Sequence, residues 1–196
     1  MMRNMRPLLA LAAALPLAAC LSFGPKPPPT LMSLTAETPI AVGTARSVQS
    51  SQTVGISFPS VPQSLATLRV PVQASPTEIA YLKNAQWVDT PSKLFRNLLA
   101  ETITAKTGKV VADSRNFALA PDTRLSGRLL NFGLDAPSRT VIVTYDAALI
   151  RSESGPVETR RFEARAPVSG ETGPAVAVAL NRAANQVAGE VAGWIG

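Results

Sequence analysis

The chain contains no histidine and a single cysteine among its 196 residues. Without histidine it lacks the side chain that most often serves as a general base or a metal ligand near neutral pH. With one thiol it can form no intrachain disulfide, so an exported fold must be held by core packing alone. Aromatic residues are scarce, at 5%. The basic residues are scattered, and Arg160, Arg161 and Arg165 are the nearest approach to a cluster. A nucleic-acid surface would need a concentrated basic stripe interleaved with aromatics, which this chain does not have. The sequence has no Gly-x-Ser-x-Gly elbow, no Ser-x-x-Lys and no Gly-x-x-x-x-Gly-Lys phosphate loop. A hydrolase would have to work with carboxylates alone, such as Glu101 or Asp113. The acid pair Glu153 and Glu158 lies in or beside a surface turn, where solvation accounts for it. The chain therefore reads as a non-enzyme, with no metal and no cofactor.

The one cysteine is well placed. Arg3 and Arg6 precede an apolar run from Leu8 to Leu15, and Leu17-Ala18-Ala19-Cys20 follows. A charged start, a short apolar stretch and small residues form a secretory signal. The stretch is too short to span a bilayer, which takes about 20 apolar residues. Ending on a cysteine, it reads as a bacterial lipoprotein signal. Cys20 would carry a thioether-linked diacylglyceryl group and, after cleavage, an N-acyl chain such as palmitate. Two or more chains anchor stably where one anchors only marginally, at about 0.8 kcal/mol per buried methylene. The competing reading is an ordinary signal peptide with a coincidental cysteine at its end. Loss of residues 1–19 leaves 17 basic against 13 acidic residues, a mildly basic +4.

The expected organisation is a signal peptide over 1–19, a lipid anchor and Pro-rich stalk over 20–30, and one α+β domain over 31–196. Pro25, Pro27, Pro28 and Pro29 favour an extended stalk of about 3.1 Å per residue. Strands are expected at Thr30–Thr35, at Thr53–Phe58 with Val54, Ile56 and Phe58 inward, at Leu65–Val70 and at Glu78–Leu82. A loop separates the first two, over Ala36–Ser51. A helix opens at Pro91 with Thr90 as its cap and stops at Gly108. A brief strand over Lys109–Asp113 precedes three longer ones forming an antiparallel meander: Thr123–Leu134, with a bulge near Leu129, Thr140–Ile150 and Val157–Ala166. The C-terminal segment carries Val176, Leu180, Ala184, Val187, Val191 and Ile195 at helical spacing. The fold class is α+β: a mixed, largely antiparallel sheet with two helices packed on one face.

Ile79-Ala80-Tyr81, Trp87 and the helix opening at Pro91 with Leu98-Leu99 resemble a recurring stretch of the ABC-type transport auxiliary lipoprotein family. The likeness runs from about Leu31 to Ile195 and takes in Val61-Pro62, Leu65, Leu68-Arg69-Val70, the meander and the alanine-rich final helix. The resemblance implies a periplasm-facing outer-membrane lipoprotein that works with an MCE-domain (mammalian cell entry) protein and an inner-membrane ABC-type complex moving lipid or another hydrophobic cargo. It implies no enzyme activity. Leu21 and Ser22 after the cysteine, neither of them aspartate, favour outer-membrane delivery. A self-assembled ring would match a tubular partner, although no spacing specifies a homo-oligomer. Tyr81 and Trp87 are either packed beneath the first helix or an exposed aromatic pair anchoring a partner. Two alternatives stand beside the adaptor reading: a lipid-binding carrier, and a structural or assembly lipoprotein of another envelope complex.

Overall fold

A computed structural model describes residues 28, 30–45, 52–112, 121–152 and 154–196. Its elements are β1 (Thr53–Ile56), a 3-10 turn (Gln63–Leu65), β2 (Arg69–Ser75), β3 (Glu78–Gln86), α1 (Pro91–Thr107), β4 (Val110–Ala112), β5 (Thr123–Asp135), β6 (Thr140–Ile150), β7 (Val157–Pro167) and α2 (Gly173–Ile195). The predicted signal, anchor and stalk lie outside the described residues, apart from the last positions of the stalk. The same holds for Asp113 and Glu153.

The meander β5–β6–β7 is the spine of the sheet. In β6, Val141, Val143, Tyr145, Ala147 and Leu149 are buried on one face, as strict alternation requires. Their partners Ala166, Ala164 and Phe162 in β7 are buried with them. In β5 the core-facing positions change parity, from Leu125 and Leu129 to Phe132 and Leu134. The register shift between Leu129 and Asn131 supplies the extra residue that brings both sets to the same face.

The sheet branches at β5. One edge of this strand pairs with β6. The other edge is shared: β1 runs parallel to its first half and β2 parallel to its last residues, with a Ser60–Arg128 bridge between them. Beyond β1 lies β4, also parallel, and beyond β2 lies β3, antiparallel. The sheet is thus mixed, and its long ladders are antiparallel. Both helices cover the same face. Phe95 of α1 meets Tyr145 at 5.2 Å and Phe132 at 6.4 Å between ring centroids, and Trp194 of α2 meets Phe162 at 5.6 Å.

Several expectations need correcting. Thr30–Thr35 forms no strand beyond a single parallel bridge, Met32 to Trp87. The segment is instead drawn onto α2, where Asn181 Oδ1 accepts from Thr35 N–H at 2.9 Å. Asn185 accepts from Glu37 N–H and donates to the Thr35 carbonyl, both at 2.9 Å. β1 stops at Ile56, so Phe58 is 56% exposed. Leu65 ends a 3-10 turn rather than opening a strand, and β2 begins only at Arg69 and runs on through Pro71. β3 extends four residues past Leu82, through an irregularity at Asn84, whose φ is 52°. Thr90 caps α1 with its carbonyl, which accepts from Lys93 and Leu94, and makes no side-chain cap bond. At the other end of α1, Gly108 adopts φ 75°, a left-handed stop that favours glycine.

Gly133 in β5 sits where β2 passes closest, and a Cβ there would collide with the Pro71 carbonyl oxygen and meet its ring at 2.9 Å. Gly133→Ala is expected to destabilise the protein by about 1–3 kcal/mol, read as a lower midpoint in chemical denaturation.

Candidate functional site

The two helices cover one face of the meander, and among the described residues no helix or strand covers the other. The outward positions of β5, β6 and β7 line up in rungs set by the register: Arg128–Asp146–Arg161, then Asn131–Thr144–Glu163. Arg161 grips Asp146 with both arms, Nε to Oδ1 at 2.6 Å and Nη2 to Oδ2 at 2.8 Å, while Arg128 Nη2 reaches Oδ2 at 3.4 Å. In the next rung, Asn131 donates to Thr144 Oγ1 at 3.1 Å. Thr144 then donates to Glu163 at 2.9 Å, and Glu163 also accepts from Arg165 at 2.9 Å. This bonding explains how Thr144 is buried on the open face.

Hydrogen bonds from Arg161 hold the Asp146 carboxyl below its usual value; partial burial opposes this and Arg128 adds to it. Burial works to raise the Glu163 carboxyl, but the Thr144 hydroxyl and Arg165 outweigh it and hold the group low. On the helix-covered face, burial pushes the Tyr145 phenol well above its ordinary range, and its hydroxyl donates to the Ser126 carbonyl at 3.0 Å.

Beside the rungs, where the β2–β3 hairpin joins β5, the sheet dips into a small solvent-open groove of about 90 Å³. Pro71, Ile79, Leu130 and Ile142 form its apolar lining, with Gln73 and Asn131 as polar partners. Apolar walls with a few polar groups, next to a row of arginines, can receive an apolar side chain of a protein segment laid across the sheet.

Tyr81 and Trp87 do not form an exposed pair. Trp87 is fully buried against Phe132, with ring centroids 5.3 Å apart, and its Nε1 finds no hydrogen-bond partner among the described residues. Tyr81 lies half-buried on β3, with the Arg69 guanidinium 4.1 Å above its ring. The sequence cluster Arg160, Arg161 and Arg165 divides by strand parity. Arg161 and Arg165 join the rungs, whereas Arg160 lies over Phe162 at 5.0 Å. Glu158 pairs with Arg151 at 2.9 Å, and Arg151 also donates to the carbonyls of Trp194 and Ile195 at the C-terminal end of α2. Glu101 is half-buried on α1. Among the described residues no group of three or more acids, cysteines or histidines is placed to hold a metal ion, and no helix is long and apolar enough to cross a membrane.

Sequence alone does not single out the groove or the rungs. Parity within β6 and β7 signals which side chains face outward, but the pairing partners follow only from the register across the bulge.

A family model described as the ABC-type transport auxiliary lipoprotein component matches residues 33–192. Two solved structures share the fold. The crystal structure of a Xanthomonas campestris protein superposes with a TM-score of 0.70 at 22% identity, covering 85% of this chain and 94% of its own. That of an uncharacterized protein gives 0.66 at 18% identity, covering 85% and 100%. No curated protein matches the chain.

Truncation separates the roles of the two aromatics. Trp87→Ala is expected to cost about 3–5 kcal/mol of folding stability, and Tyr81→Ala about 1 kcal/mol or less, in denaturant titrations of the two variants. A second expectation concerns pH. Because the folded Asp146 carboxyl titrates below its unfolded value, the stability it contributes is complete above the unfolded range near pH 3.9. That contribution is lost as pH falls through the folded value. Asp146→Asn should therefore melt below the parent protein near neutrality, and the two melting curves should converge on acidification.

Proposed function

This chain belongs to the ABC-type transport auxiliary lipoprotein family, and from that footing we propose that it is the lipid-anchored, periplasm-facing component that docks or braces the outer-membrane end of an MCE-type intermembrane lipid transport system. The observation that carries this reading is the family match over 33–192, downstream of a cysteine preceded by Leu17-Ala18-Ala19. In this reading Cys20 takes the acyl chains, and Leu21 and Ser22 direct the protein to the outer membrane. The partners are an MCE-domain protein and the inner-membrane transport complex, with lipid as the cargo.

The protein works by binding and performs no bond chemistry of its own. The open face of the meander suits this role. Its guanidinium groups are fixed by carboxylates, Arg161 across strands by Asp146 and Arg165 along its own strand by Glu163, and the neighbouring groove offers apolar walls at the junction of two strand pairs. A rigid surface of this kind binds without ordering a loop first, which lowers the entropic cost of association.

Cys20→Ser is expected to move the protein from the membrane to the soluble fraction and to abolish incorporation of labelled palmitate. Unchanged fractionation would sink the anchor. Crosslinking in native membranes should recover an MCE-domain protein with the wild-type chain, and its consistent absence would sink the adaptor role.

A further inference from the structure

We propose that the pole of the domain where the tether joins it, marked by Leu31, Leu68 and Val88, rests on the phospholipid surface that holds the acyl chains. This inference depends on the lipid-anchor reading of Cys20 given above.

Three backbone contacts bring these residues together. Met32 N–H donates to the Gln86 carbonyl at 2.8 Å, Val88 N–H to the Met32 carbonyl at 2.9 Å, and Trp87 N–H to the Leu68 carbonyl at 2.7 Å. Met32 and Trp87 point into the core. Alternation along extended chain turns their neighbours outward, and Leu31 and Val88 are 52% and 53% exposed, with Leu68 at 42%. A single exposed aliphatic is ordinary on a protein surface, but three large ones within one backbone rung form a patch that marks a contact.

The occupant follows from the length of the tether and where it ends. Ten residues carry the chain from Cys20 to Thr30, a reach of at most about 36 Å fully extended. Leu31 is the next residue, so any tilt of the tether toward the bilayer brings this pole down first. Asp89 and Lys93 pair at 3.3 Å, and Arg69, next to Leu68, lays its guanidinium over the Tyr81 ring. The arginine rungs belong to other strands. The three residues that mark the contact are apolar, so burial of aliphatic groups drives it and anionic headgroups are not required for it.

With Cys20 acylated, an introduced cysteine is the only free thiol. Lipidated full-length Val88→Cys and, as a control on α2, Val178→Cys would each carry an environment-sensitive fluorophore in vesicles of phosphatidylethanolamine and phosphatidylglycerol. Lipid-borne doxyl quenchers should quench the label at position 88 several-fold more than at 178, and phosphatidylcholine vesicles should give the same ratio. Adding Leu31→Glu and Leu68→Glu to the Val88→Cys protein should abolish the difference while leaving the circular dichroism unchanged. Equal, weak quenching at both positions in protein that floats with the vesicles would overturn the proposal. Quenching that requires phosphatidylglycerol, or energy transfer between labelled copies without lipid quenching, would also overturn it. Failure to float at all would instead sink the reading of Cys20.

Discussion

One-sided burial of β6 is the constraint on which the rest of this structure depends. Val141, Val143, Tyr145 and Leu149 present a row of large apolar groups to the helices, and every other element is placed by how it covers or extends that row. α1 delivers Phe95 to Tyr145, α2 covers β7, and β5 bulges so that Phe132 and Leu134 stay in the same layer. The sequence offers no pair of thiols to relieve this demand. A core of this size must then come from shape and area alone, each fully buried large side chain contributing about 1.5–3 kcal/mol relative to exposure.

The strands with unbroken alternation were the most legible in sequence. β6 begins and ends at the expected residues because nothing interrupts its period of two. The bulge in β5 was also readable, since two parities can share one face of a strand only where an extra residue is inserted between them. The N-terminal segment was not legible, because what decides its path is two asparagines on α2, some 150 positions downstream, offering their side chains to its backbone. β2 departs from the expected Leu65–Val70 strand: it begins at Arg69 and runs through Pro71, in the short stretch where it meets the glycine of β5. The site was less readable than the fold. Arg160, Arg161 and Arg165 stood out as a cluster, but neighbours in sequence on a strand point to opposite faces. Trp87, the most conspicuous aromatic, was needed by the core.

The proposed role asks one domain to present a rigid surface to a partner while it stays tied to a membrane. The two demands fall on different parts of this molecule. The proposed tie enters at one pole, through extended chain paired to Trp87. The braced arginines of the open sheet face lie on β5 and β7, strands that do not pair with this segment.

The asparagine clasp on α2 has a mechanical consequence. In the proposed lipid-anchored form, tension arriving from Cys20 would first meet the Met32 bridge and then the side-chain amides of Asn181 and Asn185, so the load would pass into a 23-residue helix packed across β6 and β7. The domain would thus be hauled by its backbone helix as one body, instead of unravelling from its first residues.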